Sequence, residues 1–201
     1  MRKLLIAIGA LAVTAAVVAG IVQTRDSDRA TGEAPGALSL AEVSRPVAGA
    51  PPELAALHRR VNALVGGGAK ALDAQLRALR GHPVVVNLWA SWCDPCRYEL
   101  PFFQRQAVKH GDRVAFLGVN SGDNAQDARK LSERFPMPYP SFEDPRQAVA
   151  GRYGAAGLPA TAFYDASGEL ALVHQGVFAN EAKLAAAIER YALGGKASAA
   201  A

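Results

Sequence analysis

The only two cysteines in 201 residues stand three apart in the stretch WASWCDPC, residues 89–96. Thiols at that spacing can supply half of a metal site, close a small disulfide, or trade disulfides with other molecules. A structural zinc centre needs four ligands, and His58, His82, His110 and His174 are scattered with no ligand spacing. A copper site of both thiolates with His174 stays open, against the ordinary reading of His174 as an edge residue of a strand, so no metal is expected. A disulfide across three residues restrains the unfolded chain very little compared with longer loops. Its use lies in being made and broken.

The flanking elements decide how such a pair would react. PVVVNLWA, residues 83–90, is a short continuous apolar run and predicts a buried strand. From Asp94 to about His110 the pattern is helical, with a kink expected at Pro101. Cys93 then falls at a helix N-terminus, where unpaired N–H groups and the helix dipole favour a thiolate. Pro95 suits the first helical turn, which has no use for its missing N–H. Cys96, one turn on and on the more covered side, would resolve a mixed disulfide formed on Cys93. Asp94 opposes part of the thiolate stabilisation, so a moderate pKa depression is expected.

The rest of the chain alternates strands and helices. RVAFLGVN (113–120) reads as a second buried strand, followed by a helix from about Asn124 to Arg134 that ends before Pro136. PSFED (140–144) suggests a short strand, and Pro145 opens a brief helix. Strands near 160–165 and 169–175 form a hairpin through Asp165–Gly168. Asn180 caps a last helix with Leu184, Ile188 and Tyr191 inward. Ahead of the first strand, Leu54, Leu57, Val61, Leu64 and Val65 recur at helical spacing, as do Leu72, Leu76 and Leu79 after Gly66–Gly68. Residues 53–80 therefore read as an N-terminal helical segment packed on a main domain at 81–193. The whole is an α/β fold with a mixed sheet edge. GLPAT places Pro159 in a short turn into a strand, by itself an ordinary loop proline.

Composition sets the compartment. Arg2 and Lys3 precede an apolar run at residues 4–22, close to the length that spans a bilayer. Residues 1–24 are read as a signal anchor, the alternative being a cleaved signal peptide and a secreted product. Basic residues inside put the remainder outside the cytoplasm. Residues 25–52 mix charge with Pro, Gly, Ala and Ser and read as a flexible linker, and 194–201 as a disordered tail. The net charge is a mild +4, with no basic run interleaved with aromatics, so nucleic acid is not an expected partner.

VVVNLWASWCDPCRYELP followed by GLPATAFYDASGEL resembles the thioredoxin superfamily, most closely its membrane-anchored, extracytoplasmic TlpA and ResA-type thiol-disulfide oxidoreductases, over roughly residues 70 to 192. The resemblance implies a thioredoxin-like fold, a central mixed sheet flanked by helices. It implies Cys93 as nucleophile and Cys96 as resolving thiol, with no cofactor beyond that pair. Pro159 would be a cis-proline beside the cysteines, the Leu158 backbone would pair with an extended substrate, and Trp92 would shape the exposed rim beside Pro95. Trp89 is expected in the core. Asn87 stands where thioredoxin has a buried aspartate. Glu99 is the candidate for its proton-transfer role, against the ordinary reading of a solvated helix-face glutamate. The stretch Ser121–Gly157 fits the strand–helix insertion of this branch, whereas 53–80 departs from its usual N-terminal strand region. Peroxidase chemistry of the related peroxiredoxins is disfavoured, because Val86 and Ala90 occupy the places of the required Pro and Thr or Ser. The implied partners are exported protein thiols and disulfides, such as apocytochrome c or metal-site cysteines, and a membrane electron donor of the thiol-reducing type. The implied direction is reduction; a disulfide oxidase and a copper or zinc carrier are the alternatives.

Overall fold

The computed structural model describes residues 36–194. The chain divides into two units, Met1–Glu33 and Ala34–Ala201. The expected anchor at 4–22, residues 25–35 of the linker and residues 195–201 of the tail lie outside the described residues. Among the described residues, no helix is long and apolar enough to cross a membrane.

The second unit is built on β2 (Val84–Trp89), whose apolar run is buried at all six positions. Such a strand must be paired on both edges and covered on both faces. It lies parallel to β3 (Ala115–Ser121) on one side and antiparallel to β5 (Ala160–Tyr164) on the other. Beyond β3 come β4 (Ser141–Asp144) and the short β1 (Leu64–Val65), both parallel; beyond β5 comes the antiparallel β6 (Leu170–Gln175). The order β1-β4-β3-β2-β5-β6 gives four parallel strands, then β5 running against them and β6 running with them again.

Alternate side chains of β2 feed two cores, as the two-residue period of a strand requires. Val85 and Trp89 join residues of α4 (Asp94–His110), α5 (Ala125–Arg134) and α7 (Glu181–Ala187, continued by a π-helical turn Ile188–Ala192). Val84, Val86 and Leu88 join α2 (Pro52–His58), α3 (Gly68–Ala78) and α6 (Ala148–Arg152).

Three expectations change. The helical spacing through Val61, Leu64 and Val65 does not hold: α2 stops at His58, and Leu64–Val65 enter the sheet beside β4. Asn62, at φ 59°, makes the turn, and its side chain bonds the Ser132 carbonyl at 3.0 Å and the Met137 N–H at 3.1 Å. Pairing with the distant β4 there outweighs local helix propensity. The linker is not wholly structureless. Residues 40–43 form a helical turn, α1, closed by a Ser39–Glu42 capping box, and Val43 is buried. Gln104 of α4 holds the segment by accepting from Leu38 N–H at 2.9 Å and donating to its carbonyl at 3.2 Å. Pro145 does not open α6, because the Asp144 carboxylate accepts from the N–H groups of Ala148, Val149 and Ala150 and starts the helix there. Pro101 lies inside α4, which continues on both sides of it.

Candidate active site

Cys93 is the N-cap of α4 and Cys96 lies in its first turn. They form a disulfide with Cα atoms 5.3 Å apart, and Cys93 Sγ accepts the Cys96 backbone N–H at 3.2 Å. That N–H is one of the groups a helix start leaves unpaired, and it would face the sulfur charge of a reduced Cys93. Pro95 occupies the first turn, as its chemistry allows. In this oxidised state Cys93 is only 3% exposed and Cys96 is fully covered. The expected asymmetry is therefore present but narrow. Asp94 is paired with Arg97. Arg97 also donates to the Ser91 carbonyl at 2.7 Å and tightens the turn ahead of the cysteines.

The loop between β2 and α4 is fixed by a residue that the sequence did not single out. Asp123, just after β3, accepts from Ser91 N–H at 2.6 Å, Ser91 Oγ at 2.8 Å and Asn120 Nδ2 at 2.8 Å. Trp92 donates from its ring to the Gly122 carbonyl at 2.9 Å and is 58% exposed, so the rim indole is anchored by its polar end. Trp89 is fully buried and donates to Ser141 Oγ. The polar run SGDN after a buried strand is the available signal for Asp123, and the sequence reading takes from it only the start of a helix near Asn124.

Pro159 arrives at the same sheet end. Leu88 pairs with Ala160 in the antiparallel β2–β5 register, so the residue before Ala160 lies where the cysteine loop leaves β2. The Leu158–Pro159 bond is cis. Pro159 is buried, and half-buried Leu158 packs against the core cluster that contains both cysteines.

Glu99 is not solvated. It is 0% exposed on the buried face of α4, one turn beyond Cys96. Its carboxylate accepts from Asn87 Nδ2 at 3.1 Å and from the Phe178 backbone N–H at 2.9 Å. Burial pushes its pKa up to about 8, against the lowering effect of those two bonds, so the carboxyl holds its proton at neutral pH. The α4–α7 contact that positions Phe178 is clamped by Glu181, which accepts from Arg105 and from Gln106 at 2.7 Å each. Among the described residues no three His, Cys, Asp or Glu side chains converge as metal ligands.

A model of the AhpC/TSA family matches residues 62–173, more than half of the chain. The chain belongs to that family. Within it, the chain is similar to the thiol-disulfide oxidoreductase ResA of Geobacillus thermodenitrificans, 31% identical over 110 residues, covering 54% of this chain and 63% of ResA. It is also similar to the thiol:disulfide interchange protein DsbE of Allochromatium vinosum, 38% identical over 91 residues, covering 45% of this chain and 49% of DsbE. The chain thus spans between about half and two thirds of those relatives. Among solved structures, a Chlorobium tepidum protein described as a thiol:disulfide interchange protein DsbE aligns with a TM-score of 0.53 at 28% identity, over 59% of this chain and 83% of that one. The family member described here has a thioredoxin-like α/β fold with a mixed central sheet flanked by helices.

Proposed function

We propose that this chain is a thiol-disulfide oxidoreductase of exported proteins, working through Cys93 and Cys96 in the reducing direction. The observation that carries the reading is the Cys93–Cys96 disulfide at the start of α4, with the Cys96 N–H on Cys93 Sγ. In the reduced enzyme the Cys93 thiolate attacks a substrate disulfide and forms a mixed disulfide, expelling one substrate thiolate. Cys96, once deprotonated, attacks Cys93 Sγ. The Cys93–Cys96 bond forms, the second substrate thiolate leaves, and two electrons have passed to the substrate. Glu99 is the proton exchanger for Cys96. Its carboxylate takes the Cys96 proton during closure, and its protonated form returns one to the Cys96 thiolate when a donor reopens the bond. Leu158 presents backbone to an extended substrate segment beside Pro159, and Trp92 and Pro95 wall the approach. A pair recharged by a membrane thiol donor, on a module exported behind the basic flank and apolar run at 4–22, fits this role.

Mixed-disulfide trapping tests the reading. The Cys96→Ser variant of the full chain should accumulate covalent complexes with exported proteins, and Cys93→Ser should accumulate none. Equal trapping by both, or by neither, overturns the assignment. A reduction potential as oxidising as that of a dedicated disulfide-forming protein would reverse the direction while keeping the chemistry.

A further inference from the structure

Glu99 has a problem of access. Its carboxyl is fully covered, and its Cys96 side is the side that a docked substrate would close over. Three other buried polar atoms lie along one row of the sheet beneath it. Asn87 of β2 is paired in register with Thr161 of β5, and Thr161 with His174 of β6. Directly opposed residues share a face and hold their Cβ atoms about 4.5–5.5 Å apart. Asn87 Oδ1, Thr161 Oγ1 and His174 Nε2 are all buried without a protein hydrogen-bond partner among the described residues. Buried polar atoms are seldom left so, and a row of them is a natural seat for ordered water. The row begins at Glu99, whose carboxylate is bonded to Asn87 Nδ2. It ends at a groove of about 450 Å³ between β6 and α7, lined by His174, Phe178, Lys183 and Tyr191 among others. The His174 ring stacks on Phe178 with centroids 4.1 Å apart, and Phe178 N–H is the second donor to Glu99. Ring, backbone donor and carboxyl are therefore held as one unit.

We propose that Thr161 and His174, with water between them, form a rear exit through which Glu99 exchanges its proton with solvent in the β6–α7 groove while substrate covers the cysteine face. A threonine hydroxyl both donates and accepts, and an imidazole can take a proton on one ring nitrogen and release one from the other. Each cycle then balances. The proton that Glu99 takes from Cys96 on closure leaves by the groove, and the one given back on reopening re-enters the same way. The titratable and charged groups bearing on this path are the cysteine pair on α4, Tyr139 on the loop before β4, whose pKa is raised by burial first and by Glu99 second, His174 on β6, and Lys183 with Arg190 at the groove mouth. Thr161 and His174 are positioning residues acting through Glu99, so the inference rests on the reading of Glu99 given above.

Single-turnover oxidation of the reduced Cys93–Cys96 pair by insulin, a protein disulfide large enough to cover the cysteine face, followed by tryptophan fluorescence in weakly buffered solution from pH 6 to 9, tests it. His174→Ala and Thr161→Val should each slow the reaction on the order of tenfold near pH 7, with Thr161→Ser close to the parent. Added imidazole, which fits the vacated groove position, should restore His174→Ala and leave Thr161→Val slow. His174→Gln and the melting temperatures control for folding. If Glu99→Gln is slow while the Thr161 and His174 variants keep the parental rate, or if imidazole fails to rescue a folded His174→Ala, the exit is overturned and the Glu99 reading stands. If Glu99→Gln itself keeps the parental rate, the Glu99 reading fails and the exit fails with it.

Discussion

In the proposed reaction Cys93 and Glu99 would acquire reactivity in two different ways. Cys93 acquires it from position, because a helix start presents the Cys96 N–H to its sulfur. Glu99 acquires it from burial, which holds its carboxyl protonated to about pH 8. At pH 7 only about a tenth of such a group is ionised, so proton release to a departing thiolate is favoured over proton abstraction. Replacing Glu99 by Gln keeps the shape and removes the proton. Reduction of the disulfide should slow by about 10²-fold, and any inflection near pH 8 in its pH–rate profile should vanish. Stopped-flow fluorescence reads both. The cysteine motif and Pro159 were legible in the sequence because their types and order are distinctive. The burial of Glu99 was not, since α4 carries Arg97 and Arg105 close by in sequence and its inward face is fixed only by contacts with β2 and the Phe178 loop.

At the scale of elements, the site depends on loops pinned by side chains distant in sequence. Asp123 ties the end of β3 to the turn before Cys93 through two bonds to Ser91. Asp123→Ala should cost about 1–3 kcal/mol in chemical denaturation and lower the rate of disulfide exchange, because Ser91 N–H loses a charged acceptor. Gln104→Ala removes both bonds to Leu38 together with a 2.7 Å bond to the Pro136 carbonyl. The segment 36–51 should then become more susceptible to limited proteolysis, while the thiol chemistry stays near the parental rate. Strands β2 and β3 could be read directly, as short continuous apolar runs carry their own signal. Strand β1 could not, because two residues have no period. Leu64 and Val65 fit helical spacing equally well until β4 supplies a partner.

The whole molecule inherits a pH dependence from the same buried carboxyl. In the unfolded chain Glu99 titrates near its ordinary value of 4.5, and in the folded protein near 8. The folded state therefore binds the proton more tightly. The associated stability is complete below pH 4.5 and is lost as pH rises through 8. At about 1.4 kcal/mol per pH unit the ceiling is about 5 kcal/mol, and a loss of a few kcal/mol between pH 5 and 8.5 is expected. Denaturant titrations at both pH values should show that loss in the parent and its absence in Glu99→Gln. A parental curve that stays level with the variant would mean that Glu99 is hydrated in solution. Chain direction matters as well. The reversal between β2 and β5 sets the end of one strand beside the beginning of another, and this single pairing fixes where Cys93 stands relative to Pro159. Of the intervening stretch from Ser121 to Gly157, Gly122 and Asp123 are tied to Trp92 and Ser91 beside the cysteines, whereas the outer face of α5 at Arg129, Lys130, Glu133 and Arg134 is exposed and can be re-decorated without disturbing that joint. Variation on that outer face is thereby separated from upkeep of the sheet end that seats the cysteine pair.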